Sequence, residues 1–350
     1  MRAPEFTLRR IPEMPTTTGS ISRRKFAALI GAGAAGAMAG SRIASAASAL
    51  SGVTTRVAAN PTVATGVVRL SANENPYGPS PMALKAMTDA FSLSCRYPDD
   101  HADLLIETLA KVNGVGRDQI IIADGSGEIL KLCAAAFTGP PSTGANRPVE
   151  LAPRSRGGAM PTFTPGRGKM IVGDPTFEAI LNHARVNRAE LVSVPLTNTF
   201  AHDLNKMMAA ANEGLIYICN PNNPTASITP KGEMRAFIDR TPRETMILVD
   251  EAYHHYAEGP DYESVIPLVK NHANLIVART FSKVFGMAGL RLGYCVAQPA
   301  TIQRLKPHQT WDSVNIMAIV AGIASLNDAD QVTNGRRLNS ETKKFTLGEL

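Results

Sequence analysis

The feature that most constrains this chain is an alternation of two periodicities. From about Val67 onward, apolar runs of strand length occur at Gln119–Ala123, Lys169–Gly173, Glu190–Val194, Leu215–Cys219, Met246–Val249, Leu275–Ala278 and Leu292–Val296. Amphipathic helical patterns lie between several of them, at Pro81–Phe91, Asp103–Val112, Glu128–Phe137, Phe177–Val186 and Lys231–Asp239. Apolar runs without polar alternation are strands buried on both faces, and helices on both sides supply that cover. The expected fold class is therefore α/β, with a mostly parallel central sheet between helices. Such sheets bind ligands beyond the carboxyl ends of their strands, so the chemistry is sought there.

Composition narrows the partners. The chain has 350 residues and a formal charge of +6, with 44% apolar and 19% charged residues, an ordinary globular balance. Residues 1–49 hold seven basic side chains (Arg2, Arg9, Arg10, Arg23, Arg24, Lys25, Arg42) against Glu5 and Glu13, so the rest is nearly neutral. No basic stripe runs through the body, which argues against nucleic acid. No apolar run reaches the ~18 residues of a bilayer span, which excludes a polytopic membrane protein.

Ser22-Arg23-Arg24-Lys25-Phe26 precedes an uncharged, Ala/Gly-rich stretch to Gly40, followed by small-residue sites such as Ala44-Ser45-Ala46. Residues 1–49 resemble a twin-arginine signal peptide, which implies export of a folded, cofactor-loaded protein by the twin-arginine translocation machinery. A basic, Ala-rich tail on a cytoplasmic protein is the alternative. Residues 50–68 read as a linker. Cys95, Cys133, Cys219 and Cys295 are too few for a disulfide framework and are expected to be buried thiols. Residues 139–168 contain twelve Gly or Pro and no periodicity, and read as a surface insertion between a helix and a strand.

Four strand ends carry chemistry. Leu275–Ala278 runs into Arg279-Thr280-Phe281-Ser282-Lys283, with Arg291 eight positions on, after a Gly-rich turn. Alone, Lys283 reads as a surface charge; beside Thr280, Ser282 and Arg291 it reads as a Schiff-base lysine at a phosphate cup. Met246–Val249 ends in Asp250-Glu251-Ala252-Tyr253. Asp250 is either a cap or a partly buried carboxylate that needs a cationic partner. Leu215–Cys219 runs into Asn220-Pro221-Asn222-Asn223-Pro224, a turn-forming sequence by itself. Asp124-Gly125-Ser126-Gly127-Glu128 opens a helix whose free N–H groups suit a phosphate.

Together and in this order, these motifs resemble the fold-type-I pyridoxal-phosphate aminotransferases, most closely the histidinol-phosphate aminotransferase-like branch. Leu70–Pro79 (LSANENPYGP) is similar to that branch's N-terminal active-site segment, and Arg96-Tyr97-Pro98-Asp99 to its next landmark. The resemblance implies pyridoxal 5'-phosphate as cofactor and transfer of an amino group from an amino acid such as glutamate to a 2-oxo acid or a histidinol-phosphate-type ketone. It implies that Lys283 carries the cofactor and shuttles the α-proton, that Asp250 keeps the ring nitrogen protonated, and that Tyr253 and Asn223 bind the ring hydroxyl. Ser126, Gly127, Thr280, Ser282 and Arg291 would hold the phosphate. Phe177 would stack on the ring where the family usually has tyrosine, and Asn75 and Tyr77 would lie at the substrate. Tyr97 would reach the phosphate of a neighbouring subunit in a homodimer. No metal is implied. A decarboxylase or lyase on the same fold is the alternative reaction.

By this resemblance residues 69–298 are the cofactor-binding large domain and 299–350 the start of a small C-terminal domain. Ala226 stands where the family usually has glycine, a mild change unless its φ is positive. The sequence ends at Leu350, 67 residues after Lys283, with no match to the family's carboxylate-clamping arginine. Arg336 and Arg337 fall too early and are expected on a solvated helix. The expectation is a truncated chain with poor turnover, or a non-catalytic remnant, in which the helical stretch Ser313–Leu326 exposes an apolar face.

Overall fold

The computed structural model describes residues 70–140, 166–211 and 213–350. The expected signal segment, the linker and most of the 139–168 insertion lie outside these residues.

Seven strands form one sheet: β1 (Ile120–Asp124), β2 (Lys169–Asp174), β3 (Leu191–Pro195), β4 (Gly214–Cys219), β5 (Thr245–Asp250), β6 (Leu275–Thr280) and β7 (Leu292–Ala297). Their order is β1-β7-β6-β5-β4-β2-β3. Every adjacent pair is parallel except those of β7, which runs antiparallel to both β1 and β6. Each apolar run of the sequence therefore became a strand. The residues of β4, β5, β6 and β7 are all buried, as two-sided cover requires.

The helices are α1 (Pro81–Asp89), α2 (Asp99–Asn113), α3 (Gly125–Phe137), α4 (Ala179–Val186), α5 (Leu204–Ala210), α6 (Lys231–Arg240), α7 (Pro299–Leu305), α8 (Ile316–Leu326) and α9 (Ala329–Glu349). Alternate residues of the central strands feed two cores. One holds Ile216, Ile247, Val249, Val277 and Phe281 with α2 and α8; the other holds Tyr217, Leu248, Ile276 and Ala278 with α3 and α4. Residues 71–350 make up one compact unit.

Three expectations are corrected here. The stretch Ser313–Leu326 does not expose an apolar face: α8 buries Ile316, Ala318, Ile319, Ala321, Gly322 and Ser325 and packs on α1 and α2. Cys95 is exposed, in the turn after α1, while Cys133, Cys219 and Cys295 are buried. Arg336 is half-buried on α9 and donates from Nε to the carbonyl of His255, whereas Arg337 is exposed and pairs with Glu341 at 2.8 Å. At the ends of the insertion, the Gly139 amide donates to the Gly168 carbonyl at 3.1 Å, so these two residues are held side by side.

Candidate active site

Parallel pairing decides where the functional residues meet. The carboxyl ends of β1, β2, β4, β5 and β6, and the amino end of β7, lie along one edge of the sheet. They deliver, in chain order, Gly125–Gly127, Phe177, Asn223, Tyr253, Lys283 and Arg291 to that edge.

Asp250 ends β5 and is only 2% exposed. Its Oδ2 accepts from the Tyr217 hydroxyl at 3.0 Å, and its Oδ1 from the Ala252 amide at 3.0 Å. Burial pushes its pKa up to about 6, against the opposing pull of those two hydrogen bonds and of the Lys283 charge. The carboxylate is thus more deeply buried than the sequence suggested, and a cation beside it would favour its charged form.

Lys283 is half-buried just beyond β6. Its Nζ donates to the Asn73 carbonyl at 2.8 Å and lies 5.3 Å from the centroid of the Tyr253 ring. The Asn73 side chain donates to the Tyr253 hydroxyl at 3.0 Å. Asn73 therefore closes a triangle with the lysine and the tyrosine. Asn75, expected at the substrate, donates to the Val284 carbonyl at 3.1 Å and accepts from the Tyr77 amide at 3.1 Å, which shapes the turn. The Tyr77 ring is 62% exposed at that turn.

The residues expected to hold a phosphate gather backbone N–H groups, hydroxyls and an arginine at one corner of the sheet edge. The amino end of α3 presents Ser126 and Gly127, and Thr280 Oγ1 lies 2.9 Å from Ser282 Oγ. Arg291, at φ 59°, lies 3.8 Å from Asp124 through Nε. Gly125 has φ +71°, and a Cβ there would strike the Arg291 guanidinium; a Cβ on Gly293 would strike the Ser126 amide. Glu128 secures this corner by accepting from the Asp124 amide at 2.7 Å, the Ser313 hydroxyl at 2.7 Å and the Thr310 amide at 3.2 Å.

Asn223 is half-buried in the turn after β4. Its neighbour Asn222 is buried and ties that turn to the one after β2, accepting from Thr176 Oγ1 at 3.2 Å and donating to the Pro175 carbonyl at 3.1 Å. Phe177 follows that second turn and is partly exposed. Tyr97 is 76% exposed and lines a cavity of about 710 Å³ with Trp311, Gln309 and Ile106, whose lining does not include Lys283. Sequence reasoning missed Asn73, Tyr217 and Glu128 as members of the site. Among the described residues, no cluster of His, Cys, Asp or Glu is placed to hold a metal ion.

The donor set suits an aromatic cofactor that carries a phosphate and a protonated ring nitrogen. Helix N–H groups, two hydroxyls and an arginine could hold an anion, a desolvated carboxylate could pair with a cation, and an amine stands nearby. Residues 65–347 match the family described as aminotransferase class I and II. The chain belongs to that family. It is 36% identical over 287 residues to the histidinol-phosphate aminotransferase of Moorella thermoacetica, covering 81% of this chain and 67% of that protein. The chain thus spans about two thirds of the length of such relatives. A structure of histidinol-phosphate aminotransferase from Sinorhizobium meliloti in complex with pyridoxal 5'-phosphate superimposes with a TM-score of 0.64 at 27% identity, covering 76% of this chain and 65% of that one. The fold is also that of L-threonine-O-3-phosphate decarboxylase from Porphyromonas gingivalis, with a TM-score of 0.62, 22% identity and coverage of 77% and 72%. As a member of the aminotransferase family, this chain is a pyridoxal-phosphate-dependent transaminase.

Proposed function

We propose that this aminotransferase moves an amino group between glutamate and a phosphorylated, histidinol-phosphate-type ketone, using the site at the sheet edge. The reading is carried by the convergence of Lys283, Tyr253 and the buried Asp250 beside the cup of Ser126, Gly127, Thr280, Ser282 and Arg291. When bound, the cofactor's ring supplies an electron sink for the pair left by removal of an α-proton.

The chain's own residues do the rest. Asp250 holds a proton on the ring nitrogen, since its desolvated carboxylate is stabilised as an anion by a cation beside it. Lys283 Nζ holds the cofactor and moves the proton at the substrate α-carbon. Its 5.3 Å approach to the Tyr253 ring, with Asn73 fixed to both, holds the amine in place beside Tyr253. Tyr253 and Asn223 take the ring hydroxyl, and Phe177 covers the ring face. Asn75 and Tyr77 shape the turn at the substrate side.

The names of the relatives favour the phosphorylated ketone, and the 36% identity to the Moorella protein supports it. Exposed Tyr97 suits contact with a second copy of the chain, which makes a homodimer the assembly proposed. The Ser22–Phe26 sequence supports export through the twin-arginine machinery to an extracytoplasmic compartment. The direct test is to supply cofactor-loaded protein with histidinol phosphate and 2-oxoglutarate. Glutamate formation dependent on both substrates is expected. In a parallel assay with an O-phosphorylated amino acid, which carries an α-carboxylate, carbon dioxide release without glutamate formation would favour a decarboxylase instead, the reaction named for the Porphyromonas protein.

A further inference from the structure

Behind the site lies a buried ion pair that touches neither substrate nor cofactor residues directly. Side chains alternate across a strand, so Asp250 faces the core of Tyr217 and Leu248 while Glu251, the next residue, faces the opposite core. There Glu251 meets Arg279 of β6. Arg279 Nε and Nη2 donate to Glu251 Oε2 at 3.0 and 2.8 Å. Glu251 also accepts from the Val265 amide and the Ser264 hydroxyl, each at 2.8 Å. Arg279 further donates to Ser264 Oγ at 2.7 Å and to Asn113 Oδ1 at 3.1 Å. The side chains are 10% and 1% exposed. Packing alone does not call for such a pair, because apolar residues of similar volume stabilise a core about as well as a buried ion pair.

We propose that the Arg279–Glu251 pair is a positioning device for Asp250, clasping the ends of β5 and β6 from the rear and balancing the field at the Asp250 carboxylate. This rests on the reading of Asp250 as the partner of the ring nitrogen. The clasp is continuous with the sheet: the Glu251 amide donates to the Ala278 carbonyl at 2.9 Å, which extends the β5–β6 ladder past Asp250. The field has few other sources. Tyr217 and Cys219 from β4, Tyr262 and Lys283 face Asp250, with Glu251 adjacent in the chain. Of these, Glu251 disfavours the Asp250 anion and Lys283 favours it. Arg279, also flanked by Tyr294, His254 and His255, neutralises Glu251 where it stands.

The sign of the electrostatic effect separates this role from a purely structural one. Cofactor affinity of the full chain is measured by equilibrium dialysis of pyridoxal 5'-phosphate across the acid and neutral range. Affinity falls on the acid side where Asp250 takes up a proton. Glu251→Gln leaves an uncompensated cation and moves the midpoint of that fall to lower pH. Arg279→Gln leaves an uncompensated anion and moves it to higher pH, each on the order of one pH unit for charges several ångströms apart. The double variant returns the midpoint to that of the parent. Glu251→Gln keeps an acceptor for the Val265 amide, so it carries the sign by itself where Arg279→Gln does not fold. Unmoved midpoints, or two shifts of the same sign, would overturn the proposal. A parent whose acid fall is absent, or survives Asp250→Asn, overturns the reading of Asp250 itself and this proposal with it.

Discussion

Ala226 shows how one residue converts a sequence difference into energy. Its φ of 54° is the left-handed region, which a Cβ penalises by roughly 1–2 kcal/mol. The residue is held there by a closed turn: the Ala226 amide donates to the Asn222 carbonyl at 2.9 Å, and the Asn222 amide to Ser227 at 2.8 Å. The alanine is therefore not a mild change, since the backbone does need positive φ. Ala226→Gly relieves the strain but gives the unfolded chain more freedom, so a net stabilisation of up to about 1 kcal/mol is expected from denaturant unfolding. At Asp250 the expected loss is functional. Asp250→Asn keeps shape and removes charge, so kcat should fall on the order of a hundredfold or more in folded protein. A variant within a few-fold of the parent would remove Asp250 from the mechanism. Asp250 and Lys283 were legible in the sequence because they end or follow an apolar strand, and Arg291 by its spacing from Lys283 across a Gly-rich turn. Asn73, Tyr217 and Glu128 were not, because their contacts with Tyr253, Asp250 and Ser313 span 180, 33 and 185 residues and carry no local pattern.

Among the elements, all seven strands were legible: the central ones because burial on both faces leaves an unbroken apolar run, and the half-exposed edge strand β3 by its β-branched Val192 and Val194. Helices α5 and α7 were missed, since seven residues show too little periodicity to stand out. Helix α9 was read only as a solvated helix around Arg336. It buries Gln331 alone, so it has no apolar stripe to mark its 21 residues. Close approach between elements is the property that sequence patterns specify least. Gly293 of β7 lies against the Ser126 amide at the start of α3, and a methyl group there would push the helix off the sheet. Gly293→Ala is expected to weaken pyridoxal-phosphate binding at least about tenfold by displacing the N–H groups of the cup, while Lys283 stays in place. Unchanged affinity in a fluorescence titration would show that α3 does not hold the phosphate.

On the scale of the whole molecule, imidazoles that are buried (His202) or half-buried (His254, His255) set the response to acid. Burial lowers the pKa of His202 to about 4, His254 to about 2 and His255 to about 3, with Arg279 and Arg336 adding to the effect at His254 and His255. Each stays neutral in the folded chain while its unfolded counterpart takes up a proton below about pH 6.5. The unfolded state then binds more protons, so folding stability is lost as pH falls below that value, by roughly 2 kcal/mol per imidazole at pH 5. Asp250 acts in the opposite sense, because its raised pKa lets the folded state gain a proton as pH falls through about 6. Three groups outweigh one, and unfolding midpoints in urea should drop between neutral and mildly acid pH; a flat profile would contradict the lowered pKa values of these rings. The central claim is that the sheet edge holds pyridoxal phosphate through Lys283, and covalent capture tests it most directly. Cofactor-loaded protein is reduced with borohydride, digested and mapped by mass spectrometry. The account expects the pyridoxyl group on Lys283, and none captured by Lys283→Ala; a pyridoxyl group on another lysine, or equal capture by that variant, would contradict it.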